Sequence, residues 1–485
     1  MMTLADLLDR RDVVSMPVPG LSMNSRTLSR GDVFLAVAGR SSHGLIFARD
    51  ALSAGCSAIV FDPDGAPSPL PTVPVPLVPE AGLSERLGEL ANRFYGRPSS
   101  RLHVAGVTGT NGKTTVAWLL GECLQLLGRK AAYSGTLGYG IADIDEADGM
   151  TTPDVVELHR RIATLADAGA SDLAMEVSSH ALDQQRVDGV DFHLAVFTNL
   201  SRDHLDYHAD MAEYESAKQQ LFTEHAPAHR VINIDSDAGQ RIAAACDGPV
   251  VTVSMVPDAD ASLVIRSAEP RADGFRLAYD SEWGNGAVRL PLLGSFNVEN
   301  AAVVLASLLV LGIEPSKASA VLEQVKAPPG RLQPVGNGAP AVVVDYAHTP
   351  DALEAALAAL RPNCSGQLWC VFGCGGDRDR GKRSLMASAA ERLADQVVIT
   401  SDNPRSESPS AIIADVAAGL SRAGDATLIE DRAAAIGWAI DSAASKDLVL
   451  IAGKGHERVQ LIGDERVPFS DVDVAQAIFD RRTTA

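Results

Sequence analysis

The sequence has few cysteines, and their spacing does not suit a structural zinc site. The chain contains no C-x-x-C pair, which argues against zinc and is typical of a protein from the reducing cytoplasm. The cysteines are Cys56, Cys123, Cys246, Cys364, Cys370 and Cys374.

Long apolar runs are also missing. The most apolar segment, AAVVLASLLVLGI, runs from Ala301 to Ile313 and is soon followed by Pro315. A membrane-spanning helix needs about 20 apolar residues, so this segment predicts a buried helix and no membrane insertion. The first residues, MMTLADLLDRRDVV, lack a basic segment followed by an apolar one, which predicts that there is no signal peptide.

Basic residues are outnumbered by acidic ones. The net charge is -20 and the isoelectric point is about 4.9, which argues against nucleic acid or an anionic membrane surface as the main partner. An anionic substrate stays compatible with this charge, because a basic pocket can lie within an acidic exterior.

With 485 residues, the chain is too long for one core and predicts about three domains. Short apolar runs such as AVVVDYAH and LWCVFGCGG alternate with alanine-rich helical stretches, which predicts α/β folding with mostly parallel sheets. Proline and glycine clusters near Pro98 and around Pro328 to Pro340 mark the boundaries. The predicted domains are 1–98, 99–331 and 332–485.

The segment HVAGVTGTNGKTTVAWLL, residues 103 to 120, differs from the common phosphate loop by one glycine. The pattern G-x-x-x-x-G-K-[ST] would place its first glycine where the sequence has Val107. A strand, a glycine turn and a helix N-terminus still predict an anion site, because free N–H groups and the helix dipole face a phosphate. Lys113 would reach the β- and γ-phosphates of ATP, and the Thr114 hydroxyl would bind magnesium.

Several motifs in a fixed order make the chain resemble the Mur ligase superfamily along nearly its whole length. They are GVTGTNGKTT (106–115), MEVSSHALDQQRV (175–187), FTNLSRDHLDYHADMAEYESAKQQLF (197–222), GSFNVENAAVVLA (294–306), APPGRLQ (327–333) and VVVDYAHTPDAL (342–353). The resemblance implies three α/β domains, each a sheet with flanking helices. The central one would be a P-loop ATPase domain and the C-terminal one a Rossmann-like domain.

The resemblance also implies an ATP-dependent enzyme that joins a carboxylate to an amine. Within the superfamily, the chain resembles the branch that adds the third amino acid to UDP-N-acetylmuramoyl-L-alanyl-D-glutamate in peptidoglycan synthesis. The implied enzyme is cytoplasmic and monomeric. Its partners would be small molecules: this nucleotide-linked dipeptide, meso-diaminopimelate and ATP.

The implied chemistry brings two anions together, so lysine and magnesium have to neutralise charge. By resemblance, the catalytic residues are Lys113, Glu176, His204 and Lys218. The family also implies two magnesium ions, held by Thr114, Glu176, His204 and Lys218, with Lys218 carrying a carbamate (N6-carboxylysine). Its local sequence alone favours a solvated helix lysine. The implied ATP contacts are Gly109, Thr110, Asn111, Gly112, Lys113, Thr114, Thr115, Asn297, Arg331 and Asp345.

The resemblance assigns a second set of residues to the nucleotide-linked dipeptide. These polar and basic residues are Ser25, Arg40, Ser41, Ser42, Thr151, Thr152, Ser178, Gln184 and Arg186. Such groups suit a diphosphate, a sugar and a carboxylate. Met150 departs from the family pattern, where asparagine is common, and this departure puts one side-chain hydrogen bond in doubt.

The segment TSDNPRSE, residues 400 to 407, indicates which amino acid is added. By resemblance, D-N-P-R marks a site for meso-diaminopimelate, whose distal carboxylate a guanidinium can grip with two hydrogen bonds. Arg405 would repel the ammonium of L-lysine, and Glu457 would bind the distal ammonium of diaminopimelate. The implied contacts are Arg378, Asp402, Asn403, Pro404, Arg405, Gly453 and Glu457.

Four alternatives stay open at this point. A lysine-adding ligase is disfavoured by Arg405, and a folylpolyglutamate synthetase by the D-N-P-R and GCGGDRDRGKR segments. A nucleotide-binding regulator without catalysis would be signalled by loss of Lys113, Glu176, His204 or Lys218, and all four are present. A kinase would leave the amino-acid pocket unexplained.

Overall fold

The computed structural model describes residues 2–39, 42–145, 149–336, 338–422, 424 and 426–484. The chain divides into two compact units, Met1–Thr252 and Val253–Ala485. The domain boundaries near residues 98 and 331 stay predictions.

The first unit begins with a small parallel sheet in the strand order β1-β2-β3-β4. Its strands are β1 (Leu21–Ser22), β2 (Val33–Ala36), β3 (Ala58–Phe61) and β4 (Leu77–Pro79). The helices here are α1 (Leu4–Leu8), α2 (Ala48–Ser53) and α3 (Leu83–Phe94), with 3₁₀ turns at Gly44–Phe47 and Pro98–Arg101. Every residue of β2 and β3 is buried, because helices and loops cover both faces of a parallel sheet.

A larger sheet follows in the same unit, in the order β11-β10-β5-β9-β6-β7-β8. Its strands are β5 (His103–Thr108), β6 (Ala131–Gly135), β7 (Gly138–Gly140), β8 (Ile144–Asp145), β9 (Asp172–Glu176), β10 (Phe192–Phe197) and β11 (His229–Asn233). Strands β11, β10, β5, β9 and β6 are parallel, so their carboxyl ends meet at one edge, where such sheets bind ligands.

The helices of this part are α4 (Lys113–Leu126), α5 (Val155–Asp167), α6 (Ser179–Asp183), α7 (Met211–Thr223) and α8 (Asp237–Ala245). Helix α3 of the small sheet packs on α5. Gly88 of α3 lies against the loop after α6, where a Cβ would collide with Asp188. Val155 and Val156 of α5 are buried in the same hydrophobic cluster as Leu87.

Strand β12 (Val251–Ser254) spans the boundary between the units. The second unit then forms an antiparallel meander that the sequence analysis did not anticipate. It consists of β13 (Leu263–Arg271), β14 (Gly274–Ser281) and β15 (Gly284–Leu290). Helices α9 (Phe296–Val310) and α10 (Pro315–Leu322) follow. The apolar segment from Ala301 lies in α9 up to Val310 and is buried up to Leu309, which confirms the predicted buried helix.

The rest of the second unit is a sheet in the order β16-β17-β21-β18-β19-β20, parallel except for β16. The strands are β16 (Gln333–Val335), β17 (Ala341–Asp345), β18 (Leu368–Phe372), β19 (Gln396–Ile399), β20 (Thr427–Leu428) and β21 (Leu448–Ala452). A hairpin of β22 (Val459–Ile462) and β23 (Glu465–Pro468) is separate. The helices are α11 (Pro350–Leu360), α12 (Gly381–Leu393), α13 (Pro409–Ala417), α14 (Arg432–Ser442) and α15 (Asp471–Thr484), with a 3₁₀ turn at Arg361–Asn363.

Alternate residues of the central strands belong to two different cores. In β18, Cys370 and Phe372 pack with α11, α12 and α13, whereas Val371 packs with α14 and α15. Helices therefore cover both faces, as the run of apolar strands predicted. This arrangement is the doubly wound fold expected for the C-terminal part.

A fully buried ion pair ties this sheet together. Arg432 donates to both carboxylate oxygens of Asp471 at 2.7 Å. The same guanidinium donates to the carbonyl oxygens of Ser401 and Ala452, which follow β19 and end β21. One side chain thus fixes the carboxyl ends of two strands.

We predict that Arg432→Met lowers the free energy of unfolding by about 3–5 kcal/mol, because it leaves the Asp471 carboxylate buried without its partner. Arg392→Met is the control: its pair with Glu354 is exposed and should contribute no more than about 1 kcal/mol. Urea titrations followed by circular dichroism measure both. Equal destabilisation by the two variants would contradict the prediction.

Candidate active site

The predicted phosphate loop lies between β5 and α4 in the first unit. Gly109 and Gly112 have φ values of 149° and 84°, and a Cβ at Gly109 would collide with the Thr198 hydroxyl. Asn199 holds the loop by accepting hydrogen bonds from the Thr110 and Asn111 amides at 2.9 and 3.0 Å. The loop is therefore fixed by the end of β10, with the N-terminus of α4 behind it.

Lys113 lies folded over this loop. Its Nζ donates to the carbonyl oxygens of Gly109 and Thr110, both at 2.9 Å. The lysine predicted to reach the phosphates is thus held at the loop by main-chain oxygens.

Glu176 ends β9 and is almost completely buried. Its carboxylate accepts hydrogen bonds from the hydroxyls of Thr114 (2.9 Å), Tyr133 (2.5 Å) and Thr136 (3.2 Å), and from the Thr136 amide (2.8 Å). Gly135 has no side chain because a Cβ there would collide with this carboxylate. The predicted pair Thr114–Glu176 is brought together, and Tyr133 and Thr136 are partners that sequence analysis missed.

Lys218 lies on α7 with only 1% of its surface exposed, so the solvated position that its local sequence favours is wrong. Its Nζ donates to the carbonyl oxygen of Gly109 at 2.8 Å and lies 4.3 Å from the centre of the Tyr214 ring. Burial, with Lys113 as the next cause, lowers the pKa of Lys218 well below its usual value. The environment therefore favours a neutral amine.

His204 lies in the loop before α7 with a positive φ of 53°. Its side chain is 40% exposed, and its Nε2 is 3.7 Å from an Asp203 carboxylate oxygen. Burial lowers the pKa of His204, with Lys113 and Lys218 acting in the same direction and Asp203 opposing them. These effects favour the neutral imidazole, the form that binds metals.

The oxygen donors of this region fit a magnesium ion that is shared with phosphate. Among the described residues, no three His, Cys, Asp or Glu side chains are placed to hold a metal by themselves. The adjacent Thr114 hydroxyl and Glu176 carboxylate are hard oxygen ligands. Magnesium is commonly bound by one or two such groups together with substrate phosphates and water.

Residues assigned to the nucleotide-linked dipeptide gather beside Glu176. The Thr152 hydroxyl donates to the Glu176 carbonyl oxygen (2.9 Å) and accepts from the Ser178 amide (3.2 Å). The Thr151 hydroxyl is 3.2 Å from that of Thr136. Ser178 caps α6 by accepting from the Ala181 amide at 3.1 Å.

Gln184 and Arg186 belong to one hydrogen-bonded chain. Arg186 donates to the Gln184 side-chain oxygen (3.0 Å) and to the Thr152 carbonyl oxygen (3.0 Å). Gln184 donates to the Tyr207 hydroxyl (2.8 Å), which donates to Asp183. Sequence analysis missed Tyr207, which lies in the loop before α7.

Met150 is also part of this cluster, because its sulfur lies 3.6 Å from an Arg186 nitrogen. The remaining described residues assigned to the dipeptide lie in two loops of the small sheet.

Ser25 is half-buried in the loop after β1. Ser42 is exposed, and its carbonyl oxygen accepts a hydrogen bond from the Gly39 amide at 2.9 Å. Arg40 and Ser41 lie outside the described residues.

Three predicted ATP contacts lie in the second unit. Asp345 ends β17 and accepts from the Leu332 and Ala347 amides, both at 2.8 Å. Burial raises the pKa of Asp345, whereas the nearby Arg331 acts in the opposite direction. The Arg331 guanidinium lies over the Tyr346 ring at 5.3 Å.

The Arg331 Nε is buried without a hydrogen-bond partner among the described residues. Asn297 is buried at the start of α9. It donates to the Leu293 carbonyl oxygen (2.7 Å) and accepts from Asn300 (2.9 Å). Asp345 and Arg331 are therefore neighbours, while the Asn297 side chain is engaged within its own helix start.

Arg405 has a left-handed backbone with φ 52°. Its amide donates to the Leu461 carbonyl oxygen (3.0 Å) and its own carbonyl accepts from the Gly463 amide (2.8 Å), so the β22–β23 hairpin fixes it. The guanidinium donates to the Gly376 carbonyl oxygen at 2.9 Å. The backbone conformation and these bonds set its position.

Asn403 and Glu457, both predicted contacts of the amino acid, are hydrogen-bonded to each other at 2.9 Å. Asp402 is buried, and one of its oxygens accepts from the Asn403 amide at 2.7 Å. Gly453 has φ 118°, and a Cβ there would approach Asp402 to 2.7 Å. The loop after β19 and the loop after β21 therefore form one site.

The loop 373–380, which carries exposed Arg378, is tied to the segment that contains Arg405. Glu407 accepts from the Asp377 amide (2.7 Å) and from buried Arg383 (2.8 Å). Hydrogen bonding to Arg383 lowers the pKa of Glu407 to about 2. Pro404 takes part through its backbone, because its carbonyl oxygen leaves no room for a side chain at Gly376. Sequence analysis missed Glu407 and Arg383.

Three family models match consecutive parts of the chain. They are "Mur ligase family, catalytic domain" at residues 17–95, "Mur ligase middle domain" at 107–308 and "Mur ligase, glutamate ligase domain" at 330–455. The UDP-N-acetylmuramoyl-L-alanyl-D-glutamate--2,6-diaminopimelate ligase of Xanthomonas campestris pv. campestris (strain 8004) is 47% identical over 483 residues, which cover 99% of this chain and 97% of that protein. The chain belongs to the Mur ligase family.

Other Mur ligases support this assignment. The Pseudomonas aeruginosa protein of the same name is 48% identical over 458 residues, or 94% of each chain. A solved structure with that name matches with a TM-score of 0.73 and 34% identity, covering 99% of both chains. The predicted α/β fold with three Mur ligase domains is confirmed. In the described part of the chain, no helix has the length and apolar character needed to cross a membrane.

We predict that Lys218→Met raises the melting temperature in carbon-dioxide-free buffer, by roughly 2 °C or more. The unfolded chain keeps the ordinary lysine pKa near 10.5 and therefore binds more protons than the folded chain, in which burial lowers the pKa of Lys218. The stability of the wild type therefore falls as the pH drops from about 10.5 towards the lowered pKa of Lys218. The Lys218→Met variant should not show this dependence of stability on pH. Calorimetry at pH 7 and pH 9 measures the effect.

The matched control is Lys130→Met, which removes an exposed lysine from the same unit. It should leave the melting temperature nearly unchanged at both pH values. A Lys218→Met protein that melts below the wild type at pH 7 would show that the buried amine stabilises the fold, contrary to expectation.

Proposed function

We propose that this Mur ligase adds meso-diaminopimelate to UDP-N-acetylmuramoyl-L-alanyl-D-glutamate with hydrolysis of ATP, in peptidoglycan synthesis. The observation that carries the proposal is the 47–48% identity, over 94–99% of the chain, to ligases whose name states this reaction. That likeness favours it over a folylpolyglutamate synthetase or an inactive relative. We also propose a cytoplasmic monomer with domains 1–98, 99–331 and 332–485.

The proposed reaction has two steps. The D-glutamyl γ-carboxylate attacks the γ-phosphorus of ATP, and the bond to ADP breaks, giving an acyl phosphate. The amine of diaminopimelate then attacks the acyl carbon through a tetrahedral intermediate. The amide bond forms, phosphate leaves and the amine loses a proton.

In the first step, two anions have to approach each other. The loop Gly109 to Thr115 and the α4 N-terminus would bind the ATP phosphates, with Lys113 opposing their charge. Thr114, Glu176, His204 and carbamylated Lys218 would hold magnesium, in two sites. When bound, magnesium neutralises charge on the phosphates.

The proposed carbamate on Lys218 requires the neutral amine to attack carbon dioxide, with release of one proton. Burial and the neighbouring Lys113 favour that neutral form. The product is an anion that accepts hydrogen bonds and binds cations, in place of a buried cation. This change would remove the repulsion between Lys218 and Lys113.

The dipeptide site would consist of Thr151, Thr152, Ser178, Gln184 and Arg186. Hydrogen bonds that link the last four support this proposal, and the Thr151 hydroxyl lies 3.2 Å from that of Thr136. Ser25, Arg40, Ser41 and Ser42 complete the proposed contacts. At the adenosine end, we propose Asn297, Arg331 and Asp345. Among the described residues, the buried Arg331 Nε has no hydrogen-bond partner, and a bound ligand would supply one.

The amino-acid pocket would consist of Arg378, Asp402, Asn403, Pro404, Arg405, Gly453 and Glu457. Arg405 would bind the distal carboxylate, and Glu457 the distal ammonium. The zwitterionic distal end of diaminopimelate would therefore bind to one cation, Arg405, and one anion, Glu457. L-Lysine would supply only the ammonium and leave Arg405 uncompensated.

We predict that Arg405→Ala lowers kcat/KM for meso-diaminopimelate by about 100-fold, because two charge-assisted hydrogen bonds to the distal carboxylate are lost. Phosphate release, measured with the nucleotide-linked dipeptide and either meso-diaminopimelate or L-lysine, tests this effect. Arg458→Ala, which removes an exposed arginine next to Glu457, should behave as the wild type.

The same assay separates the remaining possibilities. Preference of the wild type for L-lysine would keep the ligase but contradict the pocket assignment. Absence of turnover with either amino acid would contradict the proposed reaction itself.

We further predict that Tyr207→Phe raises KM for the nucleotide-linked dipeptide by roughly 5-fold, the cost of about one hydrogen bond. The loss of the Tyr207 hydroxyl frees Gln184 and, through it, Arg186. KM for diaminopimelate should be unchanged, and Tyr95→Phe, at the end of α3, serves as the control. A fall in kcat at constant KM would assign Tyr207 to another role.

A further inference from the structure

Lys454 is a fully buried lysine that the proposed reaction does not use. It directly follows Gly453 after β21 and has none of its side chain exposed. A buried ammonium is costly unless it is paired and hydrogen-bonded. Its partners therefore indicate why a lysine occupies this position.

Within the described part of the chain, the Lys454 ammonium donates to two side chains, and both belong to the proposed amino-acid pocket. Its Nζ donates to the Asn403 side-chain oxygen at 2.9 Å and to Glu457 Oε2 at 2.8 Å. Asn403 Nδ2 donates to the same Glu457 oxygen at 2.9 Å. The three side chains form a closed triangle, and the Leu461 amide adds a hydrogen bond to Asn403 (3.0 Å).

The triangle is buried at one end and open at the other. Lys454 has no exposed surface, whereas the Glu457 side chain is 30% exposed. The buried ammonium therefore binds Glu457 Oε2 from the protein interior, and the rest of the Glu457 carboxylate lies nearer the surface. Without Lys454, the flexible Glu457 side chain would regain rotamer freedom and turn towards water.

We infer that Lys454 is a positioning residue for the amino-acid substrate. It binds Glu457 Oε2 and the Asn403 oxygen, and so directs the second Glu457 oxygen towards the distal ammonium of the substrate. This inference rests on the proposed function, since it assigns Glu457 to that ammonium. Lys454 itself does not touch the substrate.

Two effects of removing Lys454 act in opposite directions. The lost cation would make Glu457 a stronger attractor for an ammonium, which lowers KM. The lost hydrogen bonds would release Glu457 and Asn403 from their fixed positions, which raises KM. Because Glu457 is partly exposed, water screens the first effect, and the second one dominates.

The test is a double-mutant cycle of Lys454→Met and Glu457→Gln, with KM and kcat measured for each substrate. Lys454→Met should raise KM for meso-diaminopimelate by about 10-fold, with kcat and the KM values of ATP and the nucleotide-linked dipeptide within about 2-fold. In the Glu457→Gln background the same substitution should change KM by less than about 2-fold. Arg458→Met, an exposed neighbour, is the matched control.

A merely structural role for Lys454 predicts the same change in both backgrounds, and that result would overturn the inference. So would an unchanged KM in the folded Lys454→Met protein. If that variant does not fold, Lys454→Leu, which also lacks a hydrogen-bond donor, replaces it under the same criteria. A wild type without diaminopimelate turnover contradicts the proposed function, whereas turnover with an unaltered variant contradicts the inference alone.

Discussion

Two lysines meet at one carbonyl oxygen, and the phosphate loop is organised around that contact. Gly109 accepts from Lys113 at 2.9 Å and from Lys218 at 2.8 Å. Two ammonium groups that share one buried oxygen repel each other, so one amine is favoured as neutral, and burial selects Lys218. The contact depends on Gly109 having no side chain, because Thr198 occupies the space beside it. The conformation of the loop at Gly109 and the protonation state of Lys218 therefore depend on the same contact.

In the second unit, buried cations are stabilised by side chains that accept their hydrogen bonds. Arg432 is matched by Asp471, and Lys454 by Glu457 and Asn403. Each buried cation lies at the carboxyl ends of parallel strands, where loops have to be held in place before they can bind a ligand. Rigid loops lower the entropy lost on binding. These buried charges therefore hold the loops that follow the strands as well as stabilising the fold.

How much the sequence could predict depended on how far apart the contributing residues lie. The phosphate loop was predictable because strand, glycine turn and helix are contiguous from residue 103 to 126. The Tyr133–Glu176 bond joins residues 43 apart, and Lys218 is buried against a loop 109 residues away. Neither contact leaves a local pattern. The burial of Lys454 depends in the same way on Asn403, 51 residues before it.

The attachment of Arg405 to the β22–β23 hairpin has a consequence for how substrate choice could change in evolution. The arginine is bonded to Leu461 and Gly463 through its backbone, so its position follows the register of the hairpin. Insertion or deletion of one residue near the turn at Gly463 would shift that register and carry the guanidinium with it. A descendant could thus acquire a different amino-acid preference while keeping every residue of the D-N-P-R segment. A comparison of amino-acid specificity among such proteins would then have to consider the length of the β22–β23 hairpin as well as the D-N-P-R segment.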